Sequence, residues 1–393
     1  MQGPWRMSAV SARAACAPQR LVAGAIAGAG TFLCGDSGQP FLAADVGGSH
    51  ARLGLVSPRT EQGAPKLLAY RTYRCADHPH LADIVRCFCT ELDVQPRELV
   101  LACAGYVHAG VVVNKNLAWP VAPAAMAETL GLDCIRFLND FEALAYATAH
   151  LDASNTATLK APLRPEIGPV VIIGPGTGLG AAVWLPGDPP RVLPTEAGQI
   201  QLAARVGVEQ QVLEQLALAD SHVPYESVLS GPGLLRLYTA LCAVRDRYPV
   251  LDEPAAITAA ALAGSNDMAS EALTMFCGWL GSFAGDLTML YGATGGVYLA
   301  GGFLSQIVDF MRCSPLVERF LDKGVMRPFL NKVPIRVVDH GQLGVIGAAS
   351  WYLNVLRAGG ALNAGPASMP ALQFHQQASE SAVREPSKRD GSQ

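Results

Sequence analysis

Apolar and polar positions along this chain follow two periods. Short runs of β-branched and small apolar residues predict strands over 41–56 (a hairpin), 67–73, 98–103, 107–113, 134–138, 170–173, 181–185, 296–304 and 334–338. Helical spacing predicts helices over 81–92, where Leu81, Ile84, Val85, Phe88 and Leu92 share a face, and over 141–150, 209–218, 232–243, 255–263, 268–291, 305–311 and 343–356. The helix over 343–356 is apolar enough to pack back on the first strands. Pro162 and Pro165 make 152–168 read as a loop, the expected crossing between two halves. Asp140 and Asp267 stand where helix N-caps are expected.

Two turns of this pattern share one plan. The second, Gly174-Pro175-Gly176-Thr177-Gly178-Leu179-Gly180, lies between apolar strands, and its glycines admit positive φ and a close backbone approach to a ligand. Such a turn can aim several N–H groups at one anion. It is no Walker loop, because no Gly-Lys-Ser/Thr and no helix follow. A lone turn of this kind reads as a plain β-hairpin. The first half, however, carries Asp45-Val46-Gly47-Gly48-Ser49 between apolar strands of its own. Two phosphate-sized turns, one per half, predict two similar lobes facing one nucleotide.

With 393 residues there is room for two domains and a large core, and 50% hydrophobic against 16% charged residues argues for packed α/β structure. A net charge of −4, with scattered Lys and Arg, gives no basis for nucleic acid or an anionic membrane. No apolar run reaches the roughly 18 to 20 residues of a membrane span. The ten cysteines include no Cys-x-x-Cys pair and read as reduced core thiols, Cys87 and Cys89 among them, which implies a reducing, cytoplasmic setting. Residues 1–40 imitate a signal or transit peptide weakly, and the expectation is a flexible arm from an extended or misplaced start. The tail 358–393, rich in Pro, Ser and Gln, reads as disordered.

In order along the chain, Asp45-Val46-Gly47-Gly48-Ser49, Leu138-Asn139-Asp140-Phe141, the glycine run 174–180, Glu226-Ser227-Val228-Leu229-Ser230-Gly231-Pro232-Gly233 and Ala300-Gly301-Gly302 resemble the bacterial ATP-dependent glucokinase family, within the actin, hexokinase and sugar-kinase superfamily. The resemblance covers 41–357. It implies an α/β, two-lobed actin-like (ribonuclease H-like) ATPase fold, with mixed sheets flanked by helices around an interlobe cleft. The implied small lobe is 41–151, completed by 342–357, and the large lobe is 152–341. It further implies phosphorylation of the 6-hydroxyl of D-glucose by Mg²⁺ and ATP, the first step of glycolysis.

On the same resemblance Asp140 is the general base. Asn116, Asn139, Asp140, Glu196, Gln199 and Glu226 bind the sugar, Asp45 holds Mg²⁺ through water, and Gly47, Gly48, Ser49, Gly174, Gly176, Thr177, Gly178, Gly301 and Gly302 bind ATP. The partners are then a small sugar and ATP. Kinases of this kind are often dimers, so a homodimer is an expectation, although no interface is legible. Singly, each residue has a structural alternative: Asp140 a helix cap, Glu196 a solvated loop carboxylate, Glu226 a charge ahead of a helix, and Asn116 with Trp119 a turn with an anchored ring. Three positions depart from the family pattern. Gln199 stands where the family has His after Glu-Gly-Gly, Ser49 replaces Thr and His50 replaces Asn. An amide cannot become charged and presents its polar atoms differently from an imidazole. Gln199 therefore opens two alternatives to glucose: a kinase of another hexose, and a weakly active sugar-binding sensor.

Overall fold

The computed structural model describes residues 38–357 except 61–62, 109, 114–116, 118, 152–155, 163–165 and 340. The expectations for Asn116, for the tail and for nearly all of the arm lie outside the described residues.

The first hairpin joins β1 (Phe41–Val46) to β2 (His50–Val56), and β3 (Leu67–Arg74) adds antiparallel to β2. Helix α1 (Leu81–Leu92) leads to β4 (Glu98–Cys103), which lies parallel to β1. The run 107–113, read as one strand, is divided between β5 (Tyr106–His108) and β6 (Val111–Val113), which pair with each other as a separate two-stranded hairpin turning at Gly110, φ +80. An unforeseen helix, α2 (Pro123–Leu130), precedes β7 (Cys134–Leu138), and the first sheet runs β3-β2-β1-β4-β7. Every residue of β1 is buried, because each face of the sheet is covered: Leu42 and Ala44 meet the side of α1, with Ile84 and Phe88, while Phe41 and Ala43 meet the last described helix.

Helix α3 (Asp140–Ala147) then crosses to the second sheet. The expected loop at 152–168 contains β8 (Thr156–Lys160), a short, half-exposed edge strand whose Thr-Ala-Thr-Leu-Lys sequence carries little strand signal. The glycine hairpin follows as β9 (Val170–Pro175) and β10 (Leu179–Leu185), then β11 (Arg191–Thr195). Helices α4 (Val208–Ala217), α5 (Gly231–Val244), α6 (Pro254–Ala263) and α7 (Asp267–Tyr291) build the outer layer. Strand β12 (Gly296–Ala300) precedes α8 (Gly302–Gln306) and α9 (Val308–Cys313), which replace the single helix expected at 305–311; the break falls at buried Ile307, whose ψ of 17 leaves the helix. After α10 (Leu316–Leu321) and α11 (Arg327–Leu330), neither foreseen, come β13 (Ile335–Val338) and α12 (Leu343–Arg357). The second sheet runs β11-β10-β9-β12-β13-β8.

Helices α3 and α12 are shared by both sheets. Ala143 packs with the first-sheet core beside Val345, Ala348 and Tyr352, while Leu144, Ala145 and Ala147 pack with Val170, Ile172 and Tyr298 of the second. The two helices cross at Gly347, where a Cβ would lie 1.7 Å from the Ala143 carbonyl oxygen. At both Asn-Asp pairs the cap is the residue before the expected one. Asn139 caps α3, in a capping box with Glu142, and Asn266 caps α7. No disulfide joins the eight described cysteines. Cys87 is not the core thiol expected, since its Sγ donates to Glu91 Oε1 at 3.1 Å on the helix surface.

Candidate active site

The parallel strands of the first sheet deliver two carboxylates to one edge. Strand β1 ends in Asp45-Val46 and β7 ends just before Asn139-Asp140, with β4 between them. Strand spacing puts those ends about 10 Å apart. Asp45 is buried, faces Arg52 Nη1 at 3.4 Å, and lies so close to Gly344 at the start of α12 that a Cβ there would meet its Cγ at 2.5 Å. Asn139 accepts from the Phe141 N–H at 2.9 Å, and Asp140 Oδ1 also accepts from it, at 3.0 Å. Asp140 is thus the first residue of α3 beside its cap, and the positive end of the helix dipole supports its charge. The turn after β1 is closed by Gly47 N–H to His50 O at 3.0 Å. Cys75 holds it from outside, N–H to Ser49 O at 2.9 Å and Sγ to Gly47 O at 3.4 Å.

The second sheet brings its glycine turn to the same place through Phe141, whose ring lies on Gly174 and Gly180, a cross-strand pair of β9 and β10. Glu226 Oε2 accepts the Leu179 N–H at 2.8 Å, in space that a Cβ on Gly178 would fill. Gly231, at the start of α5, donates to Gly176 O at 2.8 Å, and Gly301, at φ +136 after β12, approaches Pro175 O. Gly198 packs its bare Cα on the Leu179 carbonyl, which brings Glu196 and Gln199 alongside. Nothing lies within 4 Å of a Cβ built on Gly176 or Gly302, so both face open space.

Electrostatics tie the carboxylates together. Asp140 is partly exposed as a residue, but its carboxyl group is walled in; desolvation, then the negative charge of Asp45, and weakly that of Glu196, push its pKa up to about 7 against the lowering effect of the Phe141 N–H. Glu196 reaches solvent but loses part of its hydration, and that loss, with the charge of Glu226, raises its pKa as well. Asp140 therefore feels the charges of Asp45 and Glu196, and Glu196 that of Glu226. A shielded carboxyl titrating near neutrality is what general base chemistry asks of an acid.

A Glucokinase family model matches residues 42–355. The chain belongs to the glucokinase family. It is 47% identical over 317 residues to a "glucokinase-like protein" of Xylella fastidiosa (strain 9a5c), covering 80% of this chain and 95% of that one. It also matches the crystal structure of a glucokinase from an Antarctic psychrotroph, with 34% identity, a TM-score of 0.72 and coverage of 80% and 98% of the two chains. A glucokinase of the ROK family from Streptomyces griseus, solved with glucose and AMPPNP, shares the fold at 21% identity, a TM-score of 0.53 and coverage of 79% and 98%. Two mixed sheets joined by α3 and α12 are thus this family's two-lobed, actin-like architecture.

Within this glucokinase fold the sequence-predicted residues mostly converge. Asp45, Gly47 and Ser49 lie at one turn, Asn139 and Asp140 at the head of α3, and Gly174 to Gly178 with Glu196, Gln199, Glu226, Gly301 and Gly302 at the other. Asn139 spends its side chain on capping, and Gly174 faces Phe141. Trp119 is anchored as a structural ring, its Nε1 donating to His78 O at 2.9 Å. Four residues with evident roles were not anticipated: Phe141, Arg52, Cys75 and Gly344. The spacing of Gly174 and Gly180, equidistant from the turn centre, was the available clue to Phe141. A cavity of about 170 Å³ opens at the far end of α3 beside His150, Ser350 and Arg357 and includes none of the four carboxylates. For Mg²⁺, no cluster of three or more ligating side chains exists among the described residues. One carboxylate, Asp45, fits an ion that is bound mainly through nucleotide phosphates and water.

Proposed function

We propose that this protein is a glucokinase that transfers the γ-phosphoryl group of ATP to the 6-hydroxyl of D-glucose, with Asp140 as general base. The single observation carrying the reading is the shielded Asp140 carboxyl, its pKa near 7, at the junction of two glycine turns. The sugar O6–H gives its proton to Asp140 as O6 forms its bond to the γ-phosphorus, and the bond from that phosphorus to the bridging oxygen breaks to release ADP. A positioned base contributes roughly 10²–10⁴-fold. Glu196 and Glu226 bind sugar hydroxyl pairs, the backbone at Gly47–Ser49 and Gly176–Gly178 meets the phosphates from opposite sides, and Gly301 and Gly302 lie under the adenosine. Asp45 would hold Mg²⁺ through water, and the ion would supply neutralisation of the charge that builds during transfer. The two lobes, 41–151 with 342–357 and 152–341, close over the substrates and exclude water.

Gln199 supports a second reading, a kinase of another hexose. It replaces an ionisable ring with an amide, while the backbone carbonyl of Gln199 lies 3.0 Å from His222 Nε2. Assaying a panel of hexoses with ATP, using wild type, Asp140→Asn and Gln199→His, tests both. The glucose reading expects glucose to rank first and Asp140→Asn to lose at least a hundredfold. A different hexose ranked well above glucose replaces it with the second reading, and unimpaired Asp140→Asn ends both.

A further inference from the structure

We infer that Phe141 and the glycine pair 174/180 form a positioning lock that fixes Asp140 and the second glycine turn as one unit, so that the base and the phosphate-binding backbone keep their separation in the reacting complex. The inference rests on the kinase reading of Asp140.

Gly174 and Gly180 are register partners across the β9–β10 hairpin, so removing both Cβ atoms opens one slot in the face of the sheet. The Phe141 ring occupies it. A Cβ on Gly180 would lie 2.0 Å from Cε2, and one on Gly174 would lie 2.7 Å from Cζ. Gly176, at the turn itself, would meet nothing. The outer glycines of the motif thus accommodate an aromatic ring of the protein, and only the inner part of the turn is left for a nucleotide. Phe141 also acts through its backbone, since its N–H is held by both Asn139 Oδ1 and Asp140 Oδ1. One residue grips the hairpin with its ring and the base with its amide. Displacing the ring must therefore move the carboxylate, and a misplacement of about 1 Å can lower turnover by roughly a hundredfold.

The test is a kinetic double-mutant cycle on the full chain: Gly180→Ala, Phe141→Leu and the pair, with Asp140→Asn as reference. Gly180→Ala should lower kcat by roughly 30- to 100-fold while KM for ATP and sugar changes less than about threefold. Phe141→Leu should lower kcat about tenfold. In the pair the added methyl enters space vacated by the ring, so kcat should return to within about threefold of Phe141→Leu alone. Overturning results are effects that multiply in the pair, or a Gly180→Ala variant with raised KM for ATP and unchanged kcat, which would assign Gly180 to the nucleotide. If Gly180→Ala does not fold, a folded and active pair still demonstrates the lock, and an unfolded pair contradicts it. If Asp140→Asn turns over like wild type, the kinase reading fails and the lock with it. If Asp140→Asn is inactive and the cycle is multiplicative, only the lock fails.

Discussion

The two glycine turns look alike in sequence and are built differently. After β1, a Cβ on Gly47 would make only an ordinary contact, 3.7 Å from His50 O, and the turn is braced from outside by Cys75. After β9, three of four glycines are filled by the protein: Gly174 and Gly180 by Phe141, and Gly178 by Glu226. The first turn leaves Gly47 room for a side chain, and the second spends its glycines on docking side chains that belong to the site. A repeated motif therefore marks a repeated backbone path without fixing what each missing side chain makes room for.

Asp140, between the turns, gives the largest expected effect. Its folded pKa is raised, so as pH climbs from about 4 to about 7 the unfolded chain releases the proton first and stability falls. Asp140→Asn removes that loss. Denaturant titrations should find it more stable than wild type above pH 7, by on the order of 4 kcal/mol at most, with the advantage vanishing below pH 4. An advantage that grew toward low pH would refute the shielded-carboxyl account.

Next come matched alanines in the two turns. Gly178→Ala drives a methyl into Glu226 Oε2 and should cost about 2–3 kcal/mol, with KM for the sugar raised at least tenfold. Gly47→Ala should stay within about 1 kcal/mol of wild type and act on ATP binding alone. Equal destabilisation of the two variants would erase the distinction. The smallest effect belongs to Cys75→Ala, which loses the thiol's bond to Gly47 O but keeps the backbone bond to Ser49. About 1 kcal/mol and less than a threefold change in KM for ATP are expected by thermal melts and kinetics.

The strands with continuous apolar runs, such as Phe41–Val46 and Val170–Pro175, were legible because central strands are buried on both faces. Strand Thr156–Lys160 was not, since an edge strand paired to β13 some 175 residues away needs no apolar run of its own. Both helix caps were read one residue late for a shared reason. In Asn139-Asp140 and Asn266-Asp267 either residue can cap, but Asn takes that place and Asp moves to the first turn, where its charge suits the dipole. The glycine jobs were hidden because sequence shows that a side chain is missing and not which neighbour fills the gap.

The most direct measurement is the pH profile of kcat/KM for glucose between pH 5.5 and 8.5. Deprotonated Asp140 as the base predicts an acid limb of unit slope with its midpoint near 7. A profile flat across that range, together with Asp140→Asn retaining more than a tenth of wild-type activity, would contradict the account.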